Sequence, residues 1–189
     1  MPRSLSSGCS TRMEAGIASL VERDVLHLVG GAFSERWFQI SQSLGKSPDK
    51  LSTPLGEATS PDLVRAVLRR KKYEAVALVH NETSTGVTHP LQEIARVVRE
   101  ESDALILVDA VSSLGGAQVE TDDWGLDLVL AGVQKALALP PGLTVFTISE
   151  RAAEHAAKVS RRGFYPDLLR YRNQHRQGGT ITTPAIPLV

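Results

Sequence analysis

Short apolar runs alternate with amphipathic stretches along most of this chain. The runs are nearly all aliphatic or β-branched and contain no proline, which is typical of strands buried on both faces of a sheet. They predict strands over residues 25–29, 75–79, 104–108, 126–130 and 144–148. Helical periodicity predicts helices over residues 12–22, 35–44, 61–72, 91–101, 150–159 and 165–176. This alternation favours an α/β fold with a mostly parallel sheet flanked by helices.

Two of the predicted helices carry signals at their starts. Thr11 is followed three residues later by Glu14, which is the spacing of a capping box. Ser60 precedes Pro61, and proline is favoured in the first turn of a helix. We therefore expect helix starts at Thr11 and at Ser60.

Composition excludes several broad classes of protein. The 21 basic and 21 acidic residues cancel, so bulk charge indicates neither a nucleic acid nor an anionic membrane as partner. One cysteine cannot form an intrachain disulfide, which favours a reducing compartment. The longest apolar stretch, residues 126–148, is interrupted by Gln134, Lys135 and a Pro-Pro-Gly turn, and the N-terminus lacks the apolar core of a signal peptide. We expect a cytoplasmic protein.

In parallel α/β sheets, ligands bind beyond the carboxyl ends of the strands, so the residues that follow each strand are candidates for chemistry. The strand at 75–79 is followed by His-Asn-Glu-Thr-Ser-Thr-Gly, and the strand at 104–108 by Asp109. A surface loop rich in turn-forming residues and a turn or cap aspartate are the alternative interpretations. The sequence therefore offers a polar cluster at one edge of the sheet.

Lys135 is the only charged residue between Asp127 and Glu150. A lysine in apolar surroundings indicates a desolvated amine, and a buried amine has a lowered pKa that makes its neutral, nucleophilic form accessible. That form is what Schiff-base chemistry requires. The alternative is a lysine whose stem lies on the surface and whose charged head reaches water.

A small-residue loop at residues 7–11 leads into the first predicted helix. Small residues allow close backbone approach, and the exposed N–H groups of a helix start favour phosphate. Plain N-capping by Ser10 or Thr11 is the alternative. An amine, a carboxylate and a phosphate-binding helix start together match the needs of pyridoxal 5'-phosphate (PLP). Dinucleotide binding fits less well, because no G-x-G-x-x-G follows the first strand.

Three stretches, "HNETSTGVTHPL", "ILVDAVSSLGG" and "GVQKALALPPGL", resemble in this order and spacing the class V aminotransferases of fold type I. The likeness is strongest to the alanine–glyoxylate / serine–pyruvate aminotransferase group, and it extends from "GCSTRMEA" through "GAFSERW" to "TITTPAIPLV". It implies a three-layer α/β/α cofactor-binding large domain over residues 1–160, followed by a helix and a segment over 161–189. It also implies truncation at both ends, because family members have an N-terminal arm and a C-terminal small domain that carries the arginine for the substrate carboxylate.

The resemblance assigns five residues to the cofactor ring. Lys135 would carry PLP as a Schiff base and then shuttle a proton between the substrate and the cofactor. Asp109 would pair with the pyridinium nitrogen. Phe33 would stack on one face of the ring, as aromatic rings favour, and Val111 would pack on the other. Thr83 would hydrogen-bond the cofactor near the ring.

Five further residues are implied around the phosphate. Gln134 and the loop residues Gly8, Cys9 and Ser10 would hold it. The family's loop usually reads Ser-Gly-Thr or Ser-Gly-His, and the departure here leaves the register open by one residue. Thr183 resembles a residue that reaches the phosphate of the neighbouring subunit, which implies a homodimer.

The implied reaction is transfer of an amino group from a small amino acid, alanine or serine, to a 2-oxo acid, glyoxylate or pyruvate. One alternative is a truncated, catalytically silent domain that binds PLP or only dimerises. Another is a phosphoserine aminotransferase or a different fold type I enzyme. A desulfurase is disfavoured, because it needs a mobile nucleophilic cysteine and Cys9 lies in the phosphate loop. No residue pattern indicates a metal site.

Overall fold

The computed structural model describes residues 3–5 and 9–182, and nine strands and six helices lie within them. The strands are β1 (Arg3–Leu5), β2 (Asp24–Val29), β3 (Ser47–Ser52), β4 (Ala75–Val79), β5 (Asn81–Glu82), β6 (Val87–Thr88), β7 (Leu105–Asp109), β8 (Leu128–Gly132) and β9 (Thr144–Ile148). The helices are α1 (Cys9–Leu20), α2 (Ala32–Ser43), α3 (Pro61–Leu68), α4 (Leu91–Glu101), α5 (Glu150–Ala156) and α6 (Leu168–Arg176). Each predicted strand and helix has a counterpart.

Seven of the strands form one sheet in the order β1-β9-β8-β7-β4-β2-β3. The pairs that join β3, β2, β4, β7 and β8 are all parallel, whereas β9 runs antiparallel to β8 and β1 antiparallel to β9. Strands β5 and β6 form a small separate hairpin directly after β4. The prediction of a mostly parallel sheet is confirmed.

Helices cover both faces of the sheet, and two hydrophobic clusters lie beneath them. Alternate residues of β4 point to opposite faces: Ala75 and Ala77 join the cluster under α1, α2, α5 and α6, while Val76 and Leu78 join the cluster under α3 and α4. This alternation is the period of a strand. Because both faces are buried, the strand reads as a continuous apolar run, and the three-layer α/β/α prediction is confirmed.

The edge strand β3 was not predicted. Its sequence, SPDKLS, is polar and includes Pro48, and its residues are half-buried or exposed. A strand at the edge of a sheet is paired on one side only, so it tolerates proline and charge. Hydrophobic periodicity therefore could not indicate it.

Helix ends show where local capping differs from the prediction. Ser60 caps α3, because its side chain accepts the N–H of Asp62 at 3.2 Å, which confirms the predicted start. The capping box at Thr11 is wrong, since α1 begins at Cys9 and Thr11 lies within its first turn. Helix α6 begins at Leu168 rather than at residue 165, because Asp167 caps it and its carboxylate accepts the N–H of Leu169 at 3.0 Å.

The chain from residue 161 onward contains α6, which packs on the sheet. Leu168 and Tyr171 belong to the cluster under α1, and the ring of Tyr171 meets that of Phe146 edge to face, with 6.3 Å between centroids. The division at residue 160 stays a prediction.

Across the described ranges, every helix falls short of the length and apolarity that crossing a membrane requires.

Candidate active site

A cavity of about 210 Å³ lies at the edge of the sheet where its parallel strands end. The segments that follow β2, β4, β7 and β8 all contribute to its walls. Six of the residues singled out from the sequence line it: Phe33, Thr83, Asp109, Val111, Gln134 and Lys135. Residues more than 100 positions apart in the chain are thereby gathered in one place, as the rule for parallel sheets predicts.

Four predicted phosphate contacts lie at or beyond the limits of the described structure. Gly8 and Thr183 lie outside the described residues. Cys9 and Ser10 open helix α1, and only their backbone is described. Of the predicted phosphate loop, the structure therefore describes only the backbone from Cys9 onward, where α1 begins.

Asp109 is the last residue of β7, and only 3% of it is exposed. Its Oδ1 accepts the N–H of Val111 at 2.8 Å, so the carboxylate also fixes the turn that follows the strand. Its main-chain carbonyl accepts the N–H of His80 at 2.8 Å. Asp109 is thus bonded to the turn that follows β7 and to the segment that follows β4.

Lys135 lines the cavity, but its side chain is exposed. The expectation of a desolvated amine is therefore wrong for this structure. The reason lies in its flanks: the segment after β8 is at the surface, and Leu139 within it is 51% exposed. The apolar residues around Lys135 do not bury it, and its amine is open to solvent and to the cavity together.

Side chains at the cavity wall are linked to one another. The hydroxyl groups of Thr83 and Ser112 lie 2.6 Å apart, which joins the segment after β4 to the segment after β7. Phe33 and Val111 are partly buried and pack against the cluster under α1 and α2. The cavity therefore combines an amine, a carboxylate, a hydroxyl group and apolar faces.

Sequence reasoning missed several residues of this site. Arg36 and Asn81 also line the cavity, and the Arg36 guanidinium lies 5.4 Å from the centre of the Phe33 ring. Glu82 is fully buried beside them and accepts hydrogen bonds from the start of α2. Arg36 follows Phe33 by one helical turn, a spacing that would have placed it on the same face. Nothing local in the sequence pairs Glu82 with α2.

Two buried histidines lie under the loop that follows β4. Nδ1 of His80 lies 2.9 Å from the hydroxyl oxygen of Ser113, and Nδ1 of His89 accepts the N–H of Thr59 at 3.0 Å. Burial lowers the pKa of both rings, and for His80 the nearby His89 adds to the effect. His80 thus connects the β4 loop to the turn after Asp109, and His89 connects the same loop to the segment before α3.

Comparison with known proteins finds one matching family model and several curated proteins of similar sequence. A model of the family Aminotransferase class-V matches residues 33–187. The "Soluble hydrogenase, small subunit" of Synechococcus sp. is 39% identical over 97% of this chain and 49% of its own length. An uncharacterized aminotransferase of Methanocaldococcus jannaschii is 40% identical over 93% of this chain and 47% of its own.

A solved structure shares the fold. The alanine–glyoxylate aminotransferase of Nostoc sp. superposes with a TM-score of 0.91 at 34% identity, covering 100% of this chain and 51% of that one. The chain spans about half the length of the curated relatives it matches.

Proposed function

Because the chain belongs to the class-V aminotransferases, we propose that it binds PLP in the cavity at the sheet edge and takes part in amino-group transfer. The observation that carries the proposal is the placement of Lys135 and Asp109. Asp109 is the last residue of β7, Lys135 follows the neighbouring parallel strand β8, and both line the same cavity. An amine and a carboxylate so placed are the two groups that the chemistry of this cofactor needs from a protein.

The residues of the cavity fit this cofactor. PLP, when bound, supplies an aldehyde that bonds covalently to amines and a pyridinium ring that accepts electrons. Asp109 offers a carboxylate for the protonated ring nitrogen, and its burial strengthens that interaction. Phe33 and Val111 offer apolar surfaces for the ring, and Thr83 offers a hydroxyl group.

Lys135 has two tasks in this proposal. Its Nζ would hold the cofactor at the cavity, and once free of it the same Nζ would move the proton of the substrate Cα.

The phosphate group is assigned to Gln134 and to the start of α1. Gln134 lines the cavity, and the helix begins at Cys9, so its first N–H groups are available for an anion. Gly8 and Ser10 belong to the same proposed loop. Thr183 is assigned to the phosphate of the neighbouring subunit, and the protein is accordingly proposed to act as a homodimer.

The proposed substrates are alanine or serine as amino donor and glyoxylate or pyruvate as acceptor. Support comes from the relative of Nostoc sp., which is named for alanine and glyoxylate and shares the fold over this whole chain. Neither nucleic acid nor membrane is proposed as a partner, and the proposed location is the cytoplasm.

The test is amino-group transfer by the purified chain. PLP is added, then L-alanine or L-serine, and conversion of PLP to pyridoxamine phosphate is followed by chromatography. Addition of glyoxylate should regenerate PLP and release glycine. If phosphoserine converts PLP to pyridoxamine phosphate and neither alanine nor serine does, phosphoserine is the amino donor instead. PLP binding without conversion by any of the three amino acids would favour a silent binding domain.

A further inference from the structure

Glu82 is a buried carboxylate at the start of helix α2. None of its surface is exposed. Its Oε2 accepts the N–H of Ser34 at 3.0 Å and the hydroxyl hydrogen of the same residue at 2.9 Å. Its Oε1 accepts the N–H of Phe33 at 3.3 Å and the hydroxyl hydrogen of Ser84 at 2.6 Å. A single acid from β5 thus satisfies N–H groups that a helix start leaves without intrahelical partners.

The residue at the N-cap of α2 explains why the acid comes from elsewhere in the chain. Gly31 occupies that position and has no side chain with which to cap the helix. A Cβ added to Gly31 would lie 2.4 Å from Cγ and 2.5 Å from Cδ of Glu82. The φ of Gly31 is 175°, an extended value open to any residue, so space and not conformation requires glycine here. Gly31 therefore makes room for the carboxylate.

The same carboxylate is tied to both sides of the cavity. Phe33, whose N–H it accepts, lines the cavity from α2. Thr83, the residue after Glu82, lines it from the β4 loop and lies within hydrogen-bond distance of Ser112. A shift of Glu82 would therefore move an aromatic ring and a hydroxyl group of the cavity wall at the same time.

We propose that Glu82 is a positioning residue that sets the place of the Phe33 ring and the Thr83 hydroxyl group for the bound cofactor. The inference rests on the proposed function, because it assigns Glu82 a role in the same site. Glu82 itself is buried and is not among the residues that line the cavity. Its effect is indirect: the charge-assisted bonds to the first turn of α2 hold the backbone from which Phe33 projects.

Ionisation of Glu82 agrees with this role. Burial acts to raise the pKa of the carboxyl group, but the hydrogen bonds from Ser84, Ser34 and Phe33 outweigh it and leave the pKa below its ordinary value. The group is thus an anion at neutral pH. An anion is favoured at a helix start by the positive end of the helix dipole.

The test compares Glu82→Ala, Glu82→Gln and Gly31→Ala with the wild-type chain. Glu82→Ala removes the acceptor, Glu82→Gln keeps one carbonyl oxygen, and Gly31→Ala keeps the acid but crowds it. Three properties are measured: amide hydrogen exchange at Phe33 and Ser34, affinity for PLP, and the circular dichroism band of bound PLP. That band reports the surroundings of the cofactor ring, which a general loss of stability does not change in a folded protein.

We expect Glu82→Ala to lose exchange protection at both amides, to bind PLP at least tenfold more weakly and to show an altered dichroism band. Gly31→Ala should change the band in the same direction, and Glu82→Gln should recover part of the affinity. Asp127→Asn is the matched control, because Asp127 is equally buried but lies before β8, at the opposite edge of the sheet. It should lower the melting temperature and leave the band unchanged.

Two outcomes would overturn the inference. One is Glu82→Ala with wild-type affinity and an unchanged dichroism band. The other is an equal change of the band in Asp127→Asn, which would show only a loss of stability. If the wild-type chain itself fails to bind PLP, the proposed function and the inference fall together. If Glu82→Ala does not fold, the same comparison is made with Gly31→Ala and Glu82→Gln.

Discussion

His27 makes the stability of this protein depend on pH. It lies in the middle of β2 and is 1% exposed. The rings of Trp37 and Phe38 meet it edge to face, with centroids at 6.0 and 5.8 Å, and its Nε2 lies 2.8 Å from the Ser41 hydroxyl oxygen. Burial without a counter-charge lowers the pKa of His27 from 6.5 to about 3.

The size of the effect follows from the two pKa values. Between pH 6.5 and about 3, the unfolded chain binds a proton at this site and the folded chain does not, so folding stability falls as the pH falls. At about 1.36 kcal/mol per pKa unit, acidification from about pH 7.5 to about pH 4.5 should cost on the order of 2–3 kcal/mol at His27 alone.

The assay is urea unfolding of the wild type and of His27→Leu at a series of pH values. Leucine has no proton to gain, and the Ser41 hydroxyl group keeps its hydrogen bond to the Trp37 carbonyl oxygen. The stability difference between the two proteins should therefore shift in favour of His27→Leu as the pH falls. His175→Gln, which removes an exposed histidine, should follow the wild type. Parallel pH curves for the wild type and His27→Leu would refute the reasoning.

Two further predictions concern stability. Ser60→Ala removes the side-chain acceptor at the start of α3 and should lower the free energy of unfolding by about 1 kcal/mol, whereas Ser60→Asp should preserve it. Asp127→Asn should destabilise the fold by roughly 3 kcal/mol in chemical unfolding, because its buried carboxylate pairs with Arg99 and Arg151. Burial acts to raise the pKa of Asp127, but hydrogen bonds led by that from Arg151 lower it, so this contribution is present above about pH 3.8 and is lost as the pH falls further. An unfolding free energy for Asp127→Asn equal to that of the wild type at neutral pH would contradict the second prediction.

The interior of the sheet could be predicted from the sequence, and its edges could not. Strands such as β4 are buried on both faces, so every residue is apolar and the run stands out. Strand β3 pairs with β2 on one side only, and its sequence carries lysine, aspartate and proline. Strand β3 belongs to the sheet because it pairs with β2, and nothing in its own sequence indicates that pairing.

Within the site, the sequence could indicate the residues that lie at or just after the carboxyl end of a strand. Asp109 ends β7 and Lys135 follows β8, and the geometry of a parallel sheet brings them to the same cavity. Glu82 was missed, because its partners in α2 lie 48 and 49 residues away in the chain. The exposure of Lys135 was misjudged for a related reason: apolar neighbours in sequence do not bury a side chain when their own loop lies at the surface.

The central claim is that Lys135 binds the cofactor covalently, and borohydride trapping tests it most directly. The chain is loaded with PLP, reduced with borohydride, digested and analysed by mass spectrometry. We predict a pyridoxyl-phosphate mass on the peptide that contains Lys135 and on none of the other five lysines. Lys135→Ala should lose the label, while Lys158→Ala, which removes an exposed lysine on another part of the chain, should keep it. A label on a different lysine, or one that persists in Lys135→Ala, would contradict the account.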